Sequence, residues 1–163
     1  MTSDLSKIKN IRSKKKFTIS LAESCTGGMI SKYLTSINGS SLFFNGACIS
    51  YSNQMKIRLL KVSKSTIINH GAVSHQTALA MVKGLKKITD SEILLSVTGV
   101  AGPSGGTLRT PVGCVFFGIG SKINKKYTFK TAKKIFHEKT RHAIQKKSTE
   151  YAMYLILKEL KKI

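Results

Sequence analysis

The sequence predicts an α/β domain of three layers, in which helices cover both faces of a mixed β-sheet. Short apolar runs rich in β-branched residues alternate along the chain with segments of helical periodicity. Near the end, two β-rich runs follow each other directly, which indicates a hairpin. The 163 residues are enough to bury one sizeable core, so residues 1–163 are predicted to form a single domain.

The first half of the chain predicts two strands among short helices. The run FTISLA at 17–22 is β-rich and indicates a buried strand, and Asn38 and Gly39 provide a stop signal for the helix that follows it. In chain order the predicted elements are a helix at 4–15, a strand at 17–22, a helix at 29–37, a strand at 43–51, and short helices at 54–60 and 65–69.

The second half predicts a strong helix, a strand, a hairpin and a long terminal helix. Ser74 can cap the helix at 74–88, in which apolar residues recur at helical spacing. The remaining predicted elements are a strand at 92–98, hairpin strands at 112–120 and 125–131 joined by a turn at 121–124, and a helix from about 137 to 161.

The charge of the chain is strongly positive, with a formal net charge of +21. Such a charge suits a nucleic acid or an anionic membrane. However, 24 of the 28 basic residues are Lys, scattered singly and in pairs, whereas nucleic-acid readers favour Arg. We therefore expect no specific nucleic-acid partner, although a positive field would attract a phosphorylated substrate.

Nothing in the sequence indicates a membrane span or an exported segment. The longest apolar runs, such as 115–119, are far too short to cross a bilayer, and residues 1–16 lack an apolar signal region. The three cysteines show no metal-binding spacing, and the four histidines are scattered. We expect a cytoplasmic protein with free thiols, no membrane partner and no metal site.

The first candidate site is the turn ESCTGG at 23–28, where a strand gives way to a helix. Backbone N–H groups and the helix dipole at such a turn suit an anion or a developing oxyanion. Ser24 would be exposed there in the manner of a nucleophile elbow, and Gly27 and Gly28 allow close approach of a ligand. Local chemistry leaves a second interpretation open, in which Ser24 or Thr26 only caps the helix.

The second candidate site is the loop at 98–106, which follows a predicted strand and contains four glycines and Pro103. A surface so poor in side chains can cradle a phosphate or a flat ring. The loop matches neither the Walker pattern nor GxGxxG, and a plain connecting loop is an equally good interpretation.

Tyr51 and Lys56, in the segment YSNQMK, carry the proton-handling groups that a serine hydrolase without a His–Asp pair needs. A lysine acts as a base only when it is neutral, which requires a pKa lowered by burial or by nearby cations. Spacing alone does not separate Lys56 from the many lysines expected at the surface.

Five blocks of the sequence occur together: AESCTGG at 22–28, YSNQMK at 51–56, GAVS at 71–74, SVTGVAGPSGG at 96–106 and PVG at 111–113. In order and spacing they resemble the CinA C-terminal domain family, the nicotinamide-nucleotide amidohydrolases also called PncC. The resemblance covers nearly the whole chain. It is closest to the stand-alone form, which lacks the N-terminal molybdopterin-binding-like domain of larger members.

The resemblance implies hydrolysis of the carboxamide of nicotinamide mononucleotide to nicotinate mononucleotide and ammonia, a step in pyridine nucleotide recycling. It implies a three-layer α/β/α fold with a mostly parallel sheet that contains an antiparallel strand, and no metal or organic cofactor. We also expect a homodimer. The nucleophile of the family matches Ser24, and its partners match Lys56 and Tyr51. The residues expected to bind the substrate are Cys25, Thr26, Gly27, Gly28, Thr98, Gly99, Gly102 and Arg141.

The mechanistic hypothesis is that neutral Lys56 takes the proton of Ser24, directly or through Tyr51, while Ser24 attacks the amide carbon. Backbone N–H groups of residues 25–28 would hold the oxyanion. Cys25 is an alternative nucleophile because thiols also support amidase chemistry, but the resemblance places the nucleophile one residue earlier.

The chain departs from the family near the last predicted helix, where members typically show Phe-x-Gly-Asp-Arg-x-x-(Val/Ile)-Arg. Phe136 and Arg141 are kept once one extra residue is allowed, but the Gly-Asp pair is missing and the final Arg is Gln145. This puts any phosphate or dimer contact through the segment in doubt. The Lys that often precedes PVG is Thr110, and its neighbour Arg109 is either a replacement phosphate contact or a solvent-exposed loop residue.

The sequence is compatible with three functions. The leading hypothesis is an active amidohydrolase. The departures motivate an alternative, a catalytically weak or inactive relative that binds nucleotides in a regulatory or interaction role. The third, a basic nucleic-acid-binding domain, rests on charge alone and predicts steeply salt-dependent binding to DNA or RNA.

Overall fold

The computed structural model describes residues 2–163, which form one five-stranded sheet with helices on both faces. In chain order the elements are α1 (Thr2–Lys14), β1 (Ile19–Glu23), α2 (Met29–Leu34), a 3₁₀ turn (Ser40–Leu42), β2 (Phe44–Ile49), α3 (Asn53–Leu60), α4 (Lys64–His70), α5 (His75–Ile88), β3 (Ile93–Gly99), β4 (Cys114–Ile123), β5 (Lys126–Ile135) and α6 (Arg141–Leu160).

The strands lie in the order β2-β1-β3-β4-β5. β1 pairs in parallel with β2 and β3, whereas β4 pairs antiparallel with β3 and β5. β4 therefore runs against the other four strands, which confirms the predicted mixed, mostly parallel sheet with an antiparallel strand. Because β1, β2 and β3 are parallel, their carboxyl ends meet at one edge of the sheet, the place where open α/β sheets bind ligands.

Two apolar cores on opposite faces of the sheet produce the predicted three layers. On one face, α1, α2 and α6 pack on strand residues such as Leu21. On the other face, α3 and α5 pack through Leu60 and Met81 on residues such as Ala22. Leu21 and Ala22 are neighbours in β1, so the alternation of a strand sends their side chains into different cores.

The hairpin is longer than the sequence pattern indicates, and the predicted turn at 121–124 is wrong. Residues 121–123 continue β4, because Ser121 pairs with Thr128 across the ladder and its hydroxyl bonds to Glu159 of α6. The chain turns instead at Asn124 and Lys125, whose φ values of 50° and 65° match a two-residue hairpin turn with both residues left-handed.

The helix boundaries follow their caps. Ser74 caps α5 as predicted and accepts a hydrogen bond from the N–H of Thr77. The last helix begins at Arg141 rather than near 137, because β5 extends to Ile135 and Thr140 provides the cap. α2 ends at Leu34, three residues before the predicted boundary.

Candidate active site

The carboxyl ends of β1, β2 and β3 open onto a pocket of about 280 Å³. The turn after β1, the segment after β2 and the loop after β3 each contribute to its wall, and α6 closes one side. The predicted site residues that line it are Ser24, Cys25, Tyr51, Lys56, Thr98, Gly99, Gly102 and Arg141. The pocket wall does not include Thr26, Gly27 or Gly28, three residues that the resemblance predicts to bind substrate.

Ser24 and Lys56 are in direct contact at the floor of this pocket. The Nζ atom of Lys56 lies 2.9 Å from Oγ of Ser24. The same Nζ donates to the backbone carbonyls of Ser50 and Tyr51, each at 3.0 Å. Helix α3 makes this reach possible: Ser52 caps its N-terminus, and Lys56 lies one turn later on the buried face of the helix.

Lys56 is only 2% exposed, and in the part of the chain that the structure describes no carboxylate forms an ion pair with it. Burial disfavours the ammonium form and lowers the pKa of Lys56, while a coulombic interaction with Cys25 acts in the opposite direction. When the amine is neutral, its two N–H groups donate hydrogen bonds to the two carbonyls, and its lone pair faces Ser24. This is the arrangement that a general base requires.

Glu23 holds the turn that carries Ser24, a role that the sequence analysis missed. Its buried carboxylate accepts five hydrogen bonds, from the hydroxyls of Thr26 and Ser31 and from the N–H groups of Gly28, Ile30 and Ser31, at 2.5–3.2 Å. A carboxylate here complements the positive end of α2. The signal was a glutamate at the end of a buried strand, directly before the turn.

This arrangement corrects two expectations about the turn. Neither Ser24 nor Thr26 caps α2, because the Thr26 hydroxyl donates to Glu23 and the cap residue is Gly28. The N–H groups of Gly27 and Gly28 are also engaged, by Ser24 O and by Glu23. Among residues 25–28, only Cys25 and Thr26 make no backbone hydrogen bond through their N–H within the described chain. Of these two, Cys25 lines the pocket and Thr26 does not.

Cys25 is a poor nucleophile in this environment. It is buried, and burial raises the pKa of its thiol from 9.0 to about 12. Its carbonyl accepts a hydrogen bond of 2.9 Å from the side-chain amide of Gln145 in α6. The residue that replaces the family arginine therefore helps to hold the turn.

Through its phenol, Tyr51 makes no hydrogen bond with Ser24 or Lys56. Its side chain is 58% exposed, and its hydroxyl accepts a hydrogen bond of 2.7 Å from Nη2 of Arg141. Tyr51 supports Lys56 through its backbone carbonyl. A proton relay through the phenol is therefore not seen, and Lys56 contacts Ser24 directly.

The loop after β3 forms another wall of the pocket, and Nη1 of Arg141 donates to the carbonyl of Gly102 in this loop. Thr98, still in β3, donates its hydroxyl to the carbonyl of Ala72. Gly102 has a φ of 73° and precedes a cis peptide bond to Pro103. A Cβ at Gly102 would lie 2.5 Å from a methyl group of Val112, so only glycine fits there.

Neither a metal site nor a membrane-spanning helix is present among the described residues. Within residues 2–163, no group of three His, Cys, Asp or Glu side chains is placed to hold a metal ion. No helix in that range has the length and apolar character needed to cross a membrane.

Comparison with known proteins gives consistent matches over nearly the whole chain. The model of the CinA C-terminal domain matches residues 3–160. A CinA-like protein of Pseudothermotoga lettingae is 41% identical over 145 residues, which are 89% of this chain and 34% of that protein. A putative competence-damage inducible protein of Alkaliphilus metalliredigens is 46% identical over 91% of this chain and 35% of its own length.

A solved structure shows the same architecture. The competence/damage inducible protein CihA of Agrobacterium tumefaciens is 31% identical, with a TM-score of 0.88 over 95% of this chain and 92% of that one. The chain spans about a third of the length of the curated relatives named above.

Proposed function

This chain belongs to the CinA C-terminal domain family, and on that premise we propose that it hydrolyses the carboxamide of nicotinamide mononucleotide to nicotinate mononucleotide and ammonia. The observation that carries the proposal is the contact of 2.9 Å between Nζ of buried Lys56 and Oγ of Ser24, at the end of a pocket. A serine next to an unpaired, desolvated lysine is a means of amide hydrolysis that needs no metal.

The first half of the reaction acylates Ser24. Neutral Lys56 removes the hydroxyl proton as Oγ forms a bond to the carboxamide carbon. The carbonyl oxygen becomes an oxyanion, which the N–H of Cys25 stabilises. The protonated amine of Lys56 then gives its proton to the amide nitrogen, the C–N bond breaks, and ammonia leaves.

The second half restores the enzyme. Lys56, neutral again, takes a proton from a water molecule that attacks the ester carbon. A second oxyanion forms at the same N–H, and the ester bond to Ser24 breaks as Lys56 returns the proton to Oγ. The product is released as a carboxylic acid, which loses its proton to solvent. The homodimer and the cytoplasmic location stay predictions.

A relative that binds nucleotides without turnover is the second candidate, and the missing Gly-Asp pair before Arg141 favours it. Against it, the contact of Gln145 with the Cys25 carbonyl keeps the turn tied to α6 despite the departure. The bond from Gln145 and the contact between Ser24 and Lys56 therefore support turnover over binding alone.

The test is incubation of the purified protein with nicotinamide mononucleotide, followed by ammonia determination and chromatography of nicotinate mononucleotide. The proposal predicts the two products in equal amounts. Nucleotide binding by calorimetry without either product would favour the second candidate. Tight, steeply salt-dependent binding to DNA without nucleotide binding would instead favour the charge-based hypothesis.

A further inference from the structure

A second pocket adjoins the reaction pocket on the side away from α6. It has a volume of about 400 Å³ and shares Ala72, Val73, Val100 and Gly105 with the wall of the first. The two pockets are therefore adjacent, and together we call them the cleft, which lies between the start of α5 and the loop after β3. At about 280 Å³, the reaction pocket alone is slightly smaller than typical sites for small molecules, roughly 300–1,000 Å³.

The cleft is electrostatically suited to an anion. No Asp or Glu lines either pocket, whereas Lys56 and Arg141 line the first and Arg109 and His70 line the second. Hydroxyls of Thr107 and Thr110 complete the polar wall of the second pocket. Guanidinium groups are preferred phosphate ligands because their N–H groups can pair with two phosphate oxygens.

The two arginines of the cleft differ in the hydrogen bonds that they make with the protein. Arg141 donates to the hydroxyl of Tyr51 and to the carbonyl of Gly102, and so it joins two walls of the reaction pocket. Within residues 2–163, the side chain of Arg109 makes no hydrogen bond or ion pair with the protein. Arg109 is therefore available to a ligand.

The turn that carries Arg109 is held in shape. The N–H of Thr107 donates to the carbonyl of Thr110, and the N–H of Thr110 donates to the hydroxyl of Thr107. The two hydroxyls are also 2.9 Å apart. Because these bonds fix the backbone of the turn, little backbone entropy is lost when Arg109 binds a ligand.

We propose that the second pocket binds the phosphate monoester of the substrate, with Arg109 as its main ligand, while the carboxamide lies at Ser24. This proposal rests on the proposed function. It makes Arg109 a specificity-determining residue that separates a nucleotide from the corresponding nucleoside, and it makes Arg141 a residue that holds the pocket in shape.

The test compares two substrates that differ only in the phosphate, nicotinamide mononucleotide and nicotinamide riboside. Arg109→Ala should lower kcat/KM for the nucleotide about 10- to 100-fold, the range expected for charged hydrogen bonds, and leave the riboside value unchanged. Arg58→Ala is the matched control, because Arg58 is exposed, carries the same charge and lines neither pocket. It should change neither value.

Equal losses for both substrates, or no loss for either, would overturn the proposal while leaving the proposed function intact. If the wild type turns over neither substrate, the proposed function fails. Calorimetric measurement of the binding of the same two compounds then tests whether the second pocket binds the phosphate. Nucleotide affinity that falls in Arg109→Ala, with riboside affinity unchanged, supports the proposal. Nucleotide affinity that does not fall, or the absence of binding by the wild type, overturns it.

Discussion

Replacing Glu23 with Gln should destabilise the protein markedly, because an amide cannot satisfy the five donors that surround the carboxylate. Oε2 accepts from Thr26 Oγ1 and from the N–H groups of Gly28 and Ile30, whereas Oε1 accepts from the N–H and Oγ of Ser31. The single amide oxygen can keep the three bonds of Oε2. The amide NH₂ group then faces the two donors of Ser31.

The magnitude follows from those two donors. The Ser31 hydroxyl can rotate and accept from the amide, but the Ser31 N–H is left unpaired, which costs about 1–3 kcal/mol. Loss of the negative charge weakens the remaining bonds by about 1 kcal/mol in total. We therefore expect the free energy of unfolding of Glu23→Gln to fall by about 2–4 kcal/mol.

The assay is urea unfolding followed by circular dichroism, with Glu92→Gln as the matched control. Glu92 accepts from the N–H and hydroxyl of Thr18 through one oxygen, Oε2, so an amide oxygen in that place can keep both bonds. We expect the control to lose less than about 1 kcal/mol. Glu23→Gln with the wild-type urea midpoint, or an equal loss in both variants, would refute the reasoning.

Four further predictions concern Lys56 and the loop after β3. Lys56→Met should lower kcat about 10²- to 10⁴-fold in an ammonia assay, the usual contribution of a general base. In the wild type, kcat/KM should rise with pH as Lys56 loses its proton, with an apparent pKa below the ordinary 10.5. Between that lowered pKa and 10.5, Lys56 is protonated in the unfolded chain but neutral in the folded protein, so the free energy of unfolding of the wild type should rise with pH. In Lys56→Met, calorimetry should show a smaller rise of the free energy of unfolding with pH. Gly102→Ala should cost about 1–3 kcal/mol in chemical denaturation, because alanine would be strained at a φ of 73° and would meet Val112.

The fold was predictable because its information is local. Strands and helices alternate with clear periodicities, and the buried runs of β1 and β3 follow from hydrophobicity alone. Errors occurred at boundaries that depend on tertiary contacts. Ser121 stays in β4 because it reaches Glu159, 38 residues later, and no local pattern contains that bond.

The sequence was sufficient to predict the pair Ser24 and Lys56, but not the hydrogen bonds that hold the segments around them. The family blocks pointed to Ser24 and Lys56, which lie in contact. The bonds from Arg141 to Tyr51 and from Gln145 to Cys25 span 90 and 120 residues. The role of Glu23 was missed because serine and threonine are the usual N-cap residues. Here the carboxylate of Glu23, at the end of the preceding strand, accepts hydrogen bonds from N–H groups at the start of the helix.

The most direct test of the central claim compares ammonia release from nicotinamide mononucleotide by the wild type, Ser24→Ala and Cys25→Ala. If Ser24 is the nucleophile, Ser24→Ala should lose at least about 10³-fold in kcat, while Cys25→Ala stays within about threefold of the wild type. Activity that survives in Ser24→Ala and disappears in Cys25→Ala would contradict the account and move the nucleophile to the thiol.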